Sequence, residues 1–272
     1  MTPLDQLPAG AWARVTGVFT DIDDTLTTEG AITPDALGAL AALKAAGLHV
    51  IPITGRPVGW SAPFAAAWPV DAIVAENGAV AIFSSQIGLQ HLLDKRQQLS
   101  KIYQQDATTR AANFARMQRV LAHIEATVPG ARRAADSGGR ECDIAIDHSE
   151  FTHLPQEGID ACVALMRAAG MQATVSSIHV NGWYGAHDKL AGARWIVREL
   201  LGRDLDAELG RWVYAGDSTN DQVMFGHFAH SVGVANIARF AAQLAHPPCY
   251  VTRGERGAGF AEVAARVLAA RR

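Results

Sequence analysis

The feature that most constrains this chain is a short apolar segment that ends in a cluster of acidic residues. Residues 14–20 (RVTGVFT) are mostly apolar and β-branched, and the run DIDDT at residues 21–25 follows them directly. Strands of a parallel sheet are buried on both faces and have this unbroken apolar character. Because ligands bind at the carboxyl ends of such strands, we expect the acidic cluster to lie at a functional edge of a sheet.

Strand and helix patterns alternate along two parts of the chain. The sequence predicts further strands at 48–54, 72–75, 212–215 and 231–234, and helices at 35–46, 58–67, 189–201 and 258–270, with another from Thr219. This alternation predicts an α/β fold, a Rossmann-like parallel sheet with helices on both faces.

The alternation breaks between Ser84 and Gly182, where the composition is more polar. A long helix at 107–127, strands at 143–147 and 173–180, and a helix at 157–168 are predicted there. We therefore expect a catalytic core made of residues 1–83 and 184–272, with residues 84–183 forming an inserted α+β cap domain. Both parts have ordinary domain sizes.

Charge and cysteine content narrow the class of protein. The 24 Lys and Arg residues nearly balance the 27 Asp and Glu residues, so the net charge is −3 and a strongly basic nucleic-acid-binding protein is excluded. Three widely spaced cysteines favour a reducing compartment, and no signal-peptide pattern or membrane-length apolar run is present. We expect a cytoplasmic protein with neither nucleic-acid nor membrane partners, and the oligomeric state stays open.

A second acidic cluster follows another predicted strand. Residues 216–221 (GDSTND) come directly after the strand at 212–215, Thr54 ends a third strand and Lys189 begins a helix. If these strands share one parallel sheet, the side chains meet at its carboxyl edge. They supply carboxylates, a hydroxyl and an ammonium group, and oxygen-rich sites of this kind suit Mg²⁺. This set is the one needed for phosphoryl transfer through an aspartyl-phosphate.

The motifs resemble those of the haloacid dehalogenase superfamily. The DxDxT motif stands at residues 21–25, Thr-Gly-Arg at 54–56, the lone lysine at Lys189 and GDxxND at 216–221, in the order found in the family. The position of the insertion and the ENGA run at 76–79 resemble subfamily IIB. That group includes sucrose-phosphate, trehalose-phosphate and mannosyl-phosphoglycerate phosphatases, together with phosphomannomutases.

The resemblance implies a role for each core motif residue. Asp21 would be the nucleophile, and Asp23 would be the general acid and base. Thr54 and the backbone of Gly55 would bind the phosphoryl oxygens. Lys189 would offset the negative charge of the nucleophile and the phosphate.

The resemblance also implies a Mg²⁺ cofactor and a set of supporting residues. Asp21, the backbone carbonyl of Asp23 and Asp217 would bind the metal. The supporting residues would be Thr25, Asn220 and Asp221.

Four further residues are candidates for substrate contact. Asn77 follows a core strand at the predicted domain junction, and Arg56 either faces the substrate or braces its loop. In the cap, Arg140 and Glu141 resemble an Arg-Glu pair that some IIB phosphatases use for sugar hydroxyls or a second anion. A surface ion pair is the alternative for these two residues.

The residue at the position of Asp23 distinguishes the dehalogenases of the superfamily from its phosphatases and phosphomutases. Haloalkanoate dehalogenases lack the carboxylate that Asp23 supplies here, so we expect a Mg²⁺-dependent phosphatase of a small phosphorylated metabolite, above all a sugar phosphate. One alternative is a phosphohexomutase of the phosphomannomutase type, although the sequence shows no second arginine-rich phosphate clamp. Another is a non-catalytic phospho-acceptor signalling module, although such modules are shorter and lack a cap.

Overall fold

The computed structural model describes residues 1–84 and 99–271. The strands are β1 (Thr2–Pro3), β2 (Gly17–Thr20), β3 (Thr27–Thr28), β4 (Ala31–Ile32), β5 (His49–Pro52), β6 (Ile73–Ala75), β7 (Val80–Ser84), β8 (Leu99–Tyr103), β9 (Arg132–Arg133), β10 (Ile144–Asp147), β11 (Gln172–Val175), β12 (His179–Trp183), β13 (Trp212–Gly216), β14 (Ser231–Gly233) and β15 (Tyr250–Val251). The helices are α1 (Pro34–Ala45), α2 (Val58–Ala67), α3 (Ala107–Thr127), α4 (Gln156–Ala168), α5 (Lys189–Leu201), α6 (Gln222–Phe225) and α7 (Arg256–Ala269).

A six-stranded parallel sheet forms the core of the fold. Its strand order is β1-β15-β14-β13-β2-β5, and every neighbouring pair runs parallel. A single parallel bridge between Ile53 and Val74 connects the end of β5 to β6, which continues into the antiparallel strands β7 and β8. The predicted α/β fold with a parallel central sheet is therefore confirmed.

Successive residues of the central strands face opposite sides of the sheet. Val18 and Val50 pack with α1, α2 and α7 in one apolar cluster. Phe19 and Ile51 pack on the other side, where α5 and α6 contribute most of the helical partners. Because helices cover both faces, the strands are apolar along their whole length, as buried parallel strands require.

A second, antiparallel sheet lies in the inserted part of the chain. Its strand order is β11-β12-β10-β9, and α3 and α4 pack against it around a separate apolar cluster that includes Met117, Ile146 and Met166. The strand predicted at 173–180 is two strands, β11 and β12, because the chain turns back at residues 176–178. The helix predicted from Thr219 begins as a 3₁₀ turn, Thr219–Asp221, before the short α6.

The limits of the inserted unit remain a proposal. Residues 99–103 form β8, which pairs with β7 and contacts the apolar clusters of the core, and 85–98 lie outside the described residues. We propose that residues 107–183, comprising α3, α4 and β9 to β12, form the cap, a shorter unit than residues 84–183. Within the described ranges, no helix is both long and apolar enough to cross a membrane.

Candidate active site

Three neighbouring strands bring the core residues of the site together. β2 lies between β13 and β5 in the sheet, so the segments that follow these strands meet at one edge. The backbone N–H of Asp21 donates to the carbonyl of Ala215 at 2.8 Å, and the N–H of Ile53 donates to the carbonyl of Thr20 at 2.8 Å. These bonds extend the pairing of the strands beyond their ends. Asp21 is therefore held by the backbone at the centre of the edge.

Lys189 links the two acidic clusters. Its Nζ donates to Asp21 Oδ1 at 2.8 Å, to Asp221 Oδ1 at 2.6 Å and to Asn220 Oδ1 at 3.4 Å. The lysine occupies the first turn of α5, where the Asp188 side chain caps the helix by accepting from the N–H of Ala191 at 2.7 Å. Burial acts to lower the pKa of Lys189, but the two carboxylates outweigh it and raise that pKa above its usual value.

The candidate nucleophile Asp21 is buried and surrounded by other acids. Burial raises the pKa of Asp21 to about 7; Lys189 opposes this, whereas Asp221 and Asp23 add to it. Negative charge is thus in excess around Asp21. A bound cation would favour the ionised carboxylate.

The carboxylates of Asp21, Asp217 and Asp221 could hold such a cation. An oxygen from each lies within 4.8 Å of the others. Asp217 is fully buried, and within the described parts of the chain its Oδ1 has no hydrogen-bond partner, while its Oδ2 accepts from Asn236 Nδ2 at 3.0 Å. Burial, followed by neighbouring carboxylates, raises the pKa of Asp217 well above its usual value. An unpartnered buried oxygen in an all-carboxylate cluster fits Mg²⁺.

Asp221 differs from Asp21 and Asp217 because both of its carboxylate oxygens already accept hydrogen bonds. Oδ1 accepts from Lys189 and from the hydroxyl of Tyr214, and Oδ2 accepts from the N–H groups of Asp217 and Ser218 at 2.9 and 3.0 Å. Asp21 and Asp217 are therefore better placed than Asp221 to supply metal ligands. Asp221 shapes the loop that carries Asp217.

The Thr-Gly-Arg segment follows β5 on the other side of Asp21. The Thr54 hydroxyl oxygen accepts from the backbone N–H of Arg56 at 3.0 Å. At Gly55, a Cβ atom would come within 3.3 Å of the side-chain oxygens of Asn77 and Asn181, so a larger residue would crowd this turn. The absence of a side chain lets the backbone of this turn approach the site closely.

Arg56 is buried and contacts three carboxylates at once. Its Nε lies 3.0 Å from both oxygens of Asp23, and its Nη2 lies 2.9 Å from Asp23 Oδ1. The same guanidinium contacts Glu150 at 2.7 Å and Asp136 at 3.2 Å, both on the cap side. Arg56 therefore orients the candidate acid/base Asp23 and connects the core to the cap.

Glu150 has a second partner in the cap. Its Oε2 lies 2.9 Å from Nε2 of His179 on β12. Burial acts to raise the pKa of Glu150, but the hydrogen bonds from His179 and Arg56 outweigh it and lower that pKa to about 2. Glu150 is therefore ionised at neutral pH and pairs with Arg56 as an anion.

Thr25, the supporting threonine predicted in the DxDxT motif, is held in its loop by its backbone N–H, which donates to the Ile22 carbonyl at 3.2 Å. The buried hydroxyl of Thr25 has no hydrogen-bond partner among the residues that the structure describes. Thr27 braces the loop instead, since its hydroxyl accepts from the N–H of Asp24 at 3.3 Å and donates to the carbonyl of Ile22 at 3.2 Å. No motif marked Thr27 in the sequence.

Asn77 lies where the core meets the cap. Glu76 and Asn77 have positive φ values of 50° and 55°, which turn the chain sharply after β6. The Asn77 amide donates to Asp143 Oδ2 at 3.3 Å, and the Glu76 carboxylate accepts from the backbone N–H groups of Glu141 and Asp143 at 3.0 and 3.1 Å. Burial, together with Asp143, raises the pKa of Glu76 to about 8. These contacts connect the two parts of the chain.

The structure does not bring the predicted cap residues Arg140 and Glu141 to the candidate nucleophile Asp21. Arg140 is buried and donates to Asp143 at 2.7 Å, to Asp136 at 2.9 Å and to the Gly55 carbonyl at 3.1 Å. Glu141 is partly exposed and pairs with Lys101 at 2.8 Å. Neither side chain lines the cavity beside Asp21.

The turn between β11 and β12 covers Asp21 from the cap side. A cavity of about 10 Å³ lies there. The residues that line it are Asp21, Asp23, Thr54, Gly55, Arg56, Ser176, Ile178, His179, Asn181 and Asn220. Four of these residues belong to the cap, and none of the four was predicted because no motif in the sequence marks them. The Thr219 hydroxyl donates to the Val175 carbonyl at 2.7 Å and so holds this turn against the core.

A larger cavity of about 920 Å³ opens on the other side of Asp23 and Arg56. Its lining combines aromatic side chains with polar ones, including Trp60, Phe151 and His148. Asp23, Arg56 and Ile178 line both cavities. A group bonded to a phosphate at Asp21 would therefore pass Asp23 on its way into the larger cavity.

Comparison with known proteins supports the resemblance of the motifs to the haloacid dehalogenase superfamily. Residues 18–133 match the family model of haloacid dehalogenase-like hydrolases. This match contains the DxDxT segment at 21–25 and the Thr-Gly-Arg turn, and Lys189 and the second acidic cluster lie beyond it. No curated protein is similar enough in sequence to match the chain.

Solved structures share the whole fold. A Thermoplasma acidophilum protein matches with a TM-score of 0.67 and 15% identity, covering 94% of this chain and 99% of its own. The sucrose-phosphatase of Synechocystis sp., solved with sucrose and phosphate, matches with a TM-score of 0.62 and 16% identity over 92% and 97% of the two chains. A phosphatase of the superfamily from Bacteroides thetaiotaomicron matches with a TM-score of 0.55 and 14% identity over 94% and 96%.

At these sequence identities the solved structures establish the fold alone. The family model therefore confirms the predicted resemblance to haloacid dehalogenase-like hydrolases over residues 18–133, and the solved structures confirm the fold. The resemblance to subfamily IIB is consistent with these neighbours.

Proposed function

We propose that the protein is a Mg²⁺-dependent phosphatase that hydrolyses a small phosphorylated metabolite through an aspartyl-phosphate. One observation carries the proposal. Asp21, bonded to Lys189 at 2.8 Å, lies in a buried carboxylate cluster, and Asp23 follows two residues later with a side chain between the two cavities.

Asp21 is the proposed nucleophile. A carboxylate oxygen of Asp21 forms a bond to phosphorus while the bond from phosphorus to the leaving oxygen breaks. Phosphoryl transfer is catalysed mainly by positioning and charge neutralisation. Lys189 supplies positive charge at Asp21, and Thr54, whose oxygen accepts from Arg56, keeps its hydroxyl proton for a phosphoryl oxygen.

Asp23 is the proposed general acid and base. Its carboxyl group gives a proton to the leaving oxygen, which takes the electron pair of the broken bond. In the second half-reaction a water molecule attacks phosphorus and gives a proton to the Asp23 carboxylate. The bond between phosphorus and Asp21 breaks, which regenerates the Asp21 carboxylate and releases inorganic phosphate.

Asp21, Asp217 and the backbone carbonyl of Asp23 would hold the Mg²⁺ ion. When bound, the ion supplies positive charge that screens the nucleophile and the phosphate from one another. Two observations support such an ion: Oδ1 of Asp217 has no hydrogen-bond partner among the residues that the structure describes, and the pKa of Asp21 is raised.

The two cavities bear on the choice of substrate. The cavity of about 10 Å³ beside Asp21 is smaller than a phosphate group, so we infer that the turn at 176–178 moves away when substrate enters. The leaving group would occupy the cavity of about 920 Å³, where aromatic faces and polar groups together suit a sugar. A sugar phosphate is therefore the proposed substrate class.

A panel of phosphate esters tests the proposal. The purified protein is expected to release inorganic phosphate from hexose and disaccharide phosphates in Mg²⁺, to stop in EDTA and to recover when excess Mg²⁺ is added. Assaying isomers of the same hexose phosphate in parallel separates hydrolysis from a mutase reaction. Activity that is indifferent to chelation, or no phosphate release from any ester, would contradict the proposal.

A further inference from the structure

We propose that Glu150 of the cap is a positioning residue for leaving-group protonation, which acts by holding Arg56 against the acid/base Asp23 when the cap is closed. The inference rests on the proposed function. Glu150 itself lines the larger cavity, but its direct partners are Arg56 and His179.

Arg56 holds the carboxylate of Asp23 in a fixed orientation. Its Nε and Nη2 donate to the carboxylate oxygens of Asp23 at 2.9–3.0 Å, and only 4% of the Arg56 side chain is exposed. The ring of Trp60 lies 4.9 Å from the guanidinium carbon. A guanidinium has a rigid planar set of donors, so its orientation decides where the Asp23 carboxylate points.

The cap supplies two of the carboxylates that contact Arg56. Glu150 contacts Nη2 at 2.7 Å and Asp136 contacts Nη1 at 3.2 Å, and both carboxylates belong to the cap. His179 fixes the other oxygen of Glu150 at 2.9 Å. When the cap moves away, Arg56 loses two of its three carboxylates. Without the cap contacts, the side chain of Arg56 is less constrained, and so is the Asp23 carboxylate that it contacts.

The consequence concerns one step of the reaction. Asp23 must point at the leaving oxygen to give it a proton as the bond to phosphorus breaks, and misplaced acids lose much of their effect. Closure of the cap would thus couple the enclosure of the substrate to the alignment of its proton donor. Weakening the contact between Glu150 and Arg56 should slow the hydrolysis of esters whose leaving group needs a proton. It should not slow the hydrolysis of esters whose leaving group departs without one.

Phenyl phosphate and 4-nitrophenyl phosphate provide the test, because the two esters have similar shapes but different leaving groups. Phenolate is strongly basic, like a tyrosine side chain, whereas 4-nitrophenolate leaves without a proton. In the Glu150→Gln variant we expect kcat/KM to fall about ten-fold for phenyl phosphate and less than about two-fold for 4-nitrophenyl phosphate. The Gln side chain keeps the shape and an acceptor oxygen while removing the charge.

Two further variants make the result decisive. Glu157→Gln changes an exposed cap carboxylate on α4 and should leave both esters unaffected. Asp136→Asn weakens the other cap contact to Arg56 and should repeat the selective loss, which covers the case in which Glu150→Gln does not fold. An equal loss on both esters, or no loss, would overturn the inference. A wild-type protein that hydrolyses no phosphate ester would instead contradict the proposed function.

Discussion

The core and cap halves of the site are held together in different ways. In the core, Asp21 is fixed by a backbone hydrogen bond that continues the pairing of β2 and β13, and Lys189 occupies the first turn of a capped helix. In the cap, Glu150 and His179 reach the site through side-chain contacts with Arg56 and with each other. Backbone pairing resists displacement, whereas contacts between side chains can separate as a unit.

This difference indicates a division of work. Under the proposed function, the core half would hold the reacting groups in place throughout the cycle, and the cap half would make and break its contacts as substrate enters and product leaves. Changes in the core should therefore remove the reaction or the fold. Changes in the cap should alter selectivity while the chemistry remains.

The largest effect is expected from Asp21→Asn. The amide is a poor nucleophile, so turnover should fall by at least about 10³-fold while the fold is kept. Initial rates of phosphate release measure the loss, and circular dichroism checks the fold. Asp35→Asn, on α1 outside the site, is the matched control and should retain activity. An active Asp21→Asn variant would contradict the proposal that Asp21 is the nucleophile.

Lys189→Met tests how strongly the core half depends on its buried cation. Removing the ammonium leaves the carboxylates of Asp21 and Asp221 buried without their partner, and we expect the free energy of unfolding to fall by about 3–5 kcal/mol. Urea denaturation in EDTA measures the change. Lys101→Met removes a lysine whose side chain is 41% exposed and pairs with Glu141, and it should cost less than about 1 kcal/mol. An equal loss of unfolding free energy in the two variants would contradict the difference expected between a buried and an exposed lysine.

His187 tests the segment that joins the cap to the core. Burial lowers its pKa from 6.5 to about 4, so between these values the unfolded chain binds a proton that the folded chain does not. Stability should therefore fall as the pH drops from 6.5 towards 4, by at most about 3 kcal/mol from this residue. His187→Phe should flatten that part of the curve of unfolding free energy against pH. The exposed control His246→Phe should leave it unchanged, and an unaltered curve in His187→Phe would refute the assignment.

The smallest effects are expected in the cap. Ile178 lines both cavities, so Ile178→Ala should change KM several-fold for esters with bulky leaving groups and change kcat little. Glu141 pairs with Lys101 away from Asp21, and Glu141→Gln should leave both constants within about two-fold of the wild type. Steady-state kinetics on two sugar phosphates of different size compare the variants. A raised KM in Glu141→Gln would instead indicate that Glu141 contacts the substrate.

The core half could be predicted from sequence because its residues are tied to local pattern. Asp21, Thr54 and Asp217 each follow a recognisable strand, and the neighbouring order of those strands brings them together. The cap half depends on how separate turns fold against the core. Glu150 lies in the loop after β10 and His179 starts β12, so no spacing in the sequence reveals that Glu150 contacts Arg56 or that His179 contacts Glu150.

The most direct test of the account is to look for the covalent intermediate. Wild-type protein mixed with substrate and Mg²⁺ is quenched in acid within a turnover, digested and examined by mass spectrometry. We predict a phosphoryl group on the peptide that contains Asp21, at the carboxylate of Asp21, and its absence in Asp21→Asn. Full turnover with a phosphoryl group on another residue would contradict the central claim. So would hydrolysis in which no enzyme-bound phosphoryl group forms at any time during the reaction.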